Sequence, residues 1–454
     1  MDFNKYSQYK DMFNNMSPEM KAQMMKMAKE QMKVRVTTFA KKWFALPVLT
    51  IAGVLLGAVV GAFMACFGDI LLKVSEIRSE HPLYFIPALA IIGMGIVFAY
   101  KKWGEGSERG MGLIFAVGQR KENNIPLVLI PLVTITTWAT HLFGGSAGRE
   151  GVAVQIGATF GHNLSKKLPL EGASQTMLIA GMAAGFGGLF QVPMAATAFA
   201  LEVLIVGRLE LYALLPAAAA AFTACKVSSM LGLEKFSVDL TTLLGDQSIG
   251  FLTNTENGLS FDINFALKLA VLGLIFGLVG AAFAKVLSLA KNFFAKKSPN
   301  PIKRIAVMGV VLSAVFLLLW QGRYSGLGTN LIDLSFAGDS AASIYGADWI
   351  LKFALTILTL AAGFQGGEVT PLFSIGATLG TVSASLVGLP LPLAAALGYA
   401  AVFGSASNTL WAPILIGVEV FGPEYMPAFF IVCLVSYVCN FGQSIYKQQK
   451  LKLH

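Results

Sequence analysis

Apolar positions along this chain do not alternate with polar ones; they arrive in long blocks. The blocks lie near 44–73, 84–100, 125–143, 152–164, 174–206, 211–232, 264–290, 303–321, 348–363, 371–398, 399–421 and 425–441. A helix of about 20 apolar residues spans the hydrocarbon core of a bilayer. The pattern therefore predicts an all-α polytopic membrane protein. Several blocks are too short or too interrupted by glycine for a simple span, and the run after Gly151 holds only about 13 residues. Helices broken at membrane depth persist where their free ends face protein or a water-lined cavity, so the irregular blocks are where function is expected.

The first forty or so residues read differently, as in MKAQMMKMAKEQMKVR, with Met20, Met24, Met27 and Met32 near helical spacing. This predicts a basic amphipathic helix on the membrane face rather than a signal peptide. The basic N-terminal region, the loop KNFFAKKSPNPIKR (291–304) and the tail YKQQKLKLH are expected in the cytoplasm. The acid-bearing segments 234–262 and 323–348 are expected outside.

An internal echo divides the chain. Residues 148–161 read GREGVAVQIGATFG and residues 367–380 read GEVTPLFSIGATLG. AAGFG (183–187) echoes AAVFG (400–404), and Glu202-Val203 echoes Glu419-Val420, all at an offset of about 217–219 residues. Chance would yield either echo alone in glycine-rich apolar sequence; two at nearly one offset point to a duplication. The expected organisation is a basic Met-rich segment (1–43), a first membrane repeat (44–233), an external connection (234–263), a second repeat (264–446) and a short tail (447–454). Duplicated transporters place substrate at the repeat interface, often at half-helix N-termini.

Composition narrows the class. Only 13% of the 454 residues are charged and 55% are hydrophobic, with a net charge of +9. Soluble domains carry about 25% charged residues. Most soluble enzymes and nucleic-acid binders built on basic density are excluded. Cys66, Cys225, Cys433 and Cys439 lie in or at the ends of apolar runs and read as small buried hydrophobes. His81, His141, His162 and His454 show no metal-ligand spacing, so neither a metal site nor a cofactor is expected.

The chemistry concentrates in two segments. In GGSAGREGVAVQIGA (144–158) the glycines permit close backbone approach, and a helix is expected to begin near Glu150. Its first N–H groups lack intrahelical partners and carry partial positive charge, which makes an anion site. The Glu150 carboxylate can occupy that site when ionised and leave it when protonated, exchanging a proton for an anion. The plainer alternative is a helix cap paired with Arg149. In GFQGGEVTPLFSIGATLG (363–380), Gly366 and Gly367 give freedom, and Pro371 suits a first helical turn. Free N–H groups are then expected near Val369 and Thr370, beside Glu368.

GREGVAVQIGA resembles the signature of the CLC family, in which Gly-(Lys/Arg)-Glu-Gly-Pro opens a broken helix around a gating Glu. GGEVTP resembles the second-half Gly-Gly-x-Phe-x-Pro segment, and Tyr446 in GQSIY matches the tyrosine that lines the inner end of the anion site. The resemblance runs from about 44 to 446. It implies two inverted-topology repeats of broken and tilted helices, a homodimer in the lipid bilayer and one anion pathway per subunit. By the match to the motifs, Gly148, Arg149, Gly151, Glu368, Val369 and Thr370 are expected at the anion, with Glu150 as gate.

Departures from the family pattern bear on the substrate. GMGLI (110–114) stands where the family has Gly-Ser-Gly-Ile-Pro, so Met111 replaces the anion-contacting Ser; Val152 replaces the Pro after GREG. Glu368, Val369 and Thr370 also differ from the usual residues. This set is similar to the fluoride-exporting branch, which exchanges fluoride for protons. Fluoride is small and strongly hydrated, so it needs short hydrogen bonds in place of its water. The inner proton-relay Glu of chloride–proton exchangers is Val203 here. Fluoride and protons are thus the expected partners, in a multi-pass protein of a bacterial plasma membrane with both termini cytoplasmic. A chloride/proton antiporter or an uncoupled chloride channel is the alternative. An intramembrane enzyme is disfavoured because Ser146 and His141 lie at a spacing that suits no helical face. Glu202 and Glu419 are expected as helix-end partners for arginine or backbone. Phe115 and Phe143 are candidates to face the pathway, and Tyr437 and Asn440 to hydrogen-bond between helices.

Overall fold

The computed structural model describes residues 16–104, 106–244, 252–255, 258–337 and 343–449. Met1 to Asn15, and with them the start of the Met-rich segment, lie outside the described residues. The chain is built from helices, apart from one short antiparallel hairpin among the described residues, β1 (Leu252–Thr255) with β2 (Gly258–Phe261), between the two halves.

The first half runs α1 (Pro18–Glu80), α2 (Leu89–Trp103), α3 (Met111–Gly118), α4 (Leu129–Leu142), α5 (Glu150–Ser165), α6 (Ala173–Phe190), α7 (Pro193–Glu202) and α8 (Leu214–Met230). The second runs α9 (Ile263–Lys297), α10 (Pro301–Leu318), α11 (Thr329–Ser335), α12 (Asp348–Ala362), α13 (Val369–Val387), α14 (Leu391–Ser407), α15 (Trp411–Phe421) and α16 (Met426–Val438). The order of long and short helices repeats. The third is 8 residues in one half and 7 in the other, and the seventh 10 and 11. Seven stretches among the described residues are long and apolar enough to cross a membrane.

Local chemistry sets the helix boundaries. Ser17 caps α1 by accepting from the Met20 N–H at 3.2 Å, and Pro18 follows at the first turn. Asp262 caps α9, and Asn300 with Pro301 opens α10. The helix passes through Pro47 without ending, so the boundary expected at 43 is not a helix end. Three apolar blocks divide differently from expectation. The block 174–206 breaks at Gln191 and the region 371–421 at 388–390 and at Asn408. Gln191 and Asn408 both hold left-handed backbone, with φ of 57° and 55°, at equivalent places in the two halves. Hydropathy registers no such break because the flanking residues stay apolar.

Glycine brings the helices beside the site into backbone contact. A Cβ on Gly157 would collide with the Gly181 carbonyl, and one on Gly376 with the Gly398 carbonyl. These equivalent contacts lock α5 to α6 and α13 to α14. The halves also cap each other. The Glu202 carboxylate accepts from the N–H groups of Leu410, Trp411 and Ala412 at 3.1, 3.1 and 2.8 Å. Glu419 accepts from Met194 and Ala195 at 3.1 and 2.8 Å. Each acid thus satisfies the orphan donors of the other half's short helix. Asn440 bridges to Ser405 and Asn408.

Candidate functional site

The loops before α5 and α13 are laced together. The Gly148 N–H donates to the Gly367 carbonyl at 2.6 Å, and the Gly367 N–H to the Gly148 carbonyl at 2.7 Å. Side chains would prevent this approach. A Cβ on Gly148 would meet Pro371 Cδ at 2.9 Å, and one on Gly367 would meet the Gly151 nitrogen at 3.0 Å. The bridge sets two helix N-termini from different halves beside one another.

Glu150 is the first residue of α5 and is 1% exposed. Its carboxylate does not cap α5 itself. It accepts from the Thr370 N–H at 3.1 Å and from the Thr370 hydroxyl at 2.6 and 2.5 Å, at the start of α13. The Arg149 N–H adds a bond at 3.2 Å, while the Arg149 Nε stays 3.8 Å from the carboxylate. Charge-assisted donors and the positive end of α13 thus converge on one buried carboxylate. A small anion has the same needs.

Beside these helix starts opens a cavity of about 340 Å³, lined by Met111, Gln155, Lys291, Glu368, Tyr446 and Lys447 among others. Glu368 precedes α13, and its carboxylate lies 3.4 Å from Lys291 Nζ. Gly110, with φ of 51°, turns the chain so that Met111 starts α3 at the cavity wall. The buried Tyr446 stacks on Phe115 with ring centroids 5.1 Å apart and meets Phe199 edge-on at 6.3 Å. At the rim, Arg109 forks onto Glu122 at 2.7 and 2.5 Å. These hydrogen bonds hold the Glu122 carboxyl below its ordinary range.

A third group lies against the loop that precedes α5. Lys352 is fully buried in α12 and donates to Ser146 Oγ at 3.0 Å and to the carbonyls of Tyr324 and Gly326 at 3.1 and 2.8 Å. Ser146 Oγ also bonds Thr356 at 2.8 Å. His141 bonds the carbonyls of Thr137 and Ala147 at 2.8 and 3.0 Å, so it is not the base of a Ser146 nucleophile.

A profile described as voltage-gated chloride channel matches residues 92–440. The chain belongs to the CLC family. A chloride/fluoride channel protein of Pseudomonas syringae pv. tomato is 33% identical over 420 residues, covering 91% of this chain and 87% of its own length. An H+/Cl− exchange transporter of Salmonella arizonae is 28% identical over 257 residues, 56% of this chain and 51% of its own. Among solved structures, a CLC-type fluoride/proton antiporter is 50% identical, with a TM-score of 0.85 over 90% of this chain and 99% of that one. The protein is therefore a multi-pass membrane protein of CLC architecture, from a family of channels and transporters rather than enzymes.

The fold of this CLC protein brings Gly148, Arg149, Glu150, Gly151, Val369 and Thr370 together at the helix starts. Met111, Glu368 and Tyr446 line the neighbouring cavity, with Phe115 packed behind Tyr446. Glu368 turns to Lys291 rather than to the donors that hold Glu150. Phe143 packs edge-on against Phe85 in a separate apolar cluster. Lys291, Gln155 and Lys352 escaped sequence reasoning. Lys352 had a signal, a lone cation within the apolar block 348–363. Lys291 looked like any base in a charged loop, and only the fold sets it against Glu368.

Proposed function

We propose that this protein is a secondary antiporter that exports fluoride in exchange for protons, with Glu150 competing with the anion for one set of donors. The reading rests on the Glu150 carboxylate seated on the Thr370 N–H and hydroxyl of the opposite half. The 50% identity to a fluoride/proton antiporter supports fluoride as the anion. Fluoride, arriving from the cytoplasm through the cavity at Met111 and Tyr446, takes the donors when Glu150 binds a proton from outside and leaves. Glu150 then returns, displaces the anion outward and releases its proton inward. Val203 at the usual relay position routes that proton along the anion path, past Thr370 and Glu368. The reading also places both termini in the cytoplasm of a bacterial plasma membrane and pairs the chain as a homodimer.

Chloride exchange is the second reading, carried by the chloride/proton exchanger relatives. Purified protein in liposomes loaded with fluoride or chloride separates the two. A fluoride electrode should record fluoride release with matching alkalinisation outside, and chloride should compete weakly. Preferred chloride release, or fluoride release without proton movement, rejects the first reading.

A further inference from the structure

Glu368 stands at a helix start, yet its side chain makes no bond to that helix. It is the residue before α13, and its side chain accepts from none of that helix's N–H groups. A carboxylate there is drawn to those donors by their partial positive charge. Instead it points toward Lys291, 3.4 Å away on α9. The Thr370 N–H left free by this arrangement is the one that binds Glu150. Lys291 is not held elsewhere by a carboxylate among the described residues. Of the other charged groups on the cavity wall, Arg109 is taken by Glu122, Lys447 bonds Asn292 at 3.2 Å, and Glu108 sits with Arg109 at the rim.

We infer that Lys291 is a positioning residue that keeps the Glu368 carboxylate off the start of α13, so that the Thr370 donors stay available to the gate and the transported anion. Without the ammonium, two carboxylates contest one helix end, and the anion meets a negative competitor already in place. Lys291 acts through Glu368 rather than by touching the anion. This deepens the reading of the path given above and rests on it for the identity of the anion.

The test is anion binding by calorimetry to the purified full chain, with fluoride and chloride titrated in parallel, followed by flux in liposomes. Lys291 is partly exposed, so Lys291→Met should fold. That variant is expected to bind the transported anion about ten-fold more weakly, matching the loss of one charge-assisted hydrogen bond. In flux it should raise KM by a similar factor, with Vmax near that of the unmodified protein. Lys291→Arg should restore both. On a Glu368→Gln background, adding Lys291→Met should change nothing further, because the competitor is no longer charged. Unchanged affinity in Lys291→Met, or an equal loss on the Glu368→Gln background, overturns the inference. If chloride rather than fluoride is the anion bound, the fluoride reading fails, and the same comparison made with chloride still decides the role of Lys291.

Discussion

Arg149-Glu150 and Glu368-Val369 hold equivalent places in the two halves, yet their charges are arranged in opposite ways. Where the first half has a cation before its helix, the second has an acid; where the first opens on an acid, the second opens on Val369. Glu150 is buried on the Thr370 donors of the other half and the Arg149 N–H of its own. Glu368 faces a cavity and a lysine. The backbone frame, including the Gly148–Gly367 bridge, is nearly symmetric; the chemistry hung on it is not. A symmetric frame supplies two anion-attracting helix ends at one point. Asymmetric side chains set Glu150, the first residue of one helix, on the donors of the other, and turn Glu368 toward the cavity.

That contrast can be broken at its strongest point first. Glu150→Gln keeps the shape and removes the titrating charge. Proton counter-flow should fall to the leak of protein-free liposomes while some fluoride release persists; normal coupled exchange would remove the gate from Glu150. Thr370→Val keeps the volume of the side chain and deletes its hydroxyl. Hydrogen bonds to a charged partner contribute about 1.5–3 kcal/mol. Anion affinity by calorimetry should drop about ten-fold or more, and an unchanged affinity would place the anion elsewhere. The symmetric part of the frame should respond less and evenly. Glu202→Gln and Glu419→Gln each weaken one reciprocal helix cap, at about 1 kcal/mol. Thermal unfolding in detergent should fall by about 2 °C for either variant, with proton coupling intact. Strongly unequal shifts would mean that the two caps are not equivalent.

The buried place of Glu150 was legible because its signal is local. A carboxylate inside a Gly-rich break of an apolar block is costly in lipid unless it has work there, and the helix start at Glu150 follows from its flanking residues. The partner of that carboxylate was less legible. The sequence suggests donors near Thr370, but not that Glu150 would cap the opposite half's helix instead of its own. Glu202 and Glu419 show the same limit. Both were readable as helix-end acids, while the ends they serve lie more than two hundred residues away. The breaks at Gln191 and Asn408 were missed because a change of backbone hand leaves no trace in hydropathy.

The chain by itself determined its solvent, its helical class, its duplication and the position of its buried acid Glu150, because each follows from composition, block length or short-range spacing. Tertiary structure decided which donors receive Glu150, where Glu368 points and what Lys291 and Lys352 touch. Those outcomes depend on how closely glycine lets two distant loops approach and on which charges the fold then leaves facing one another.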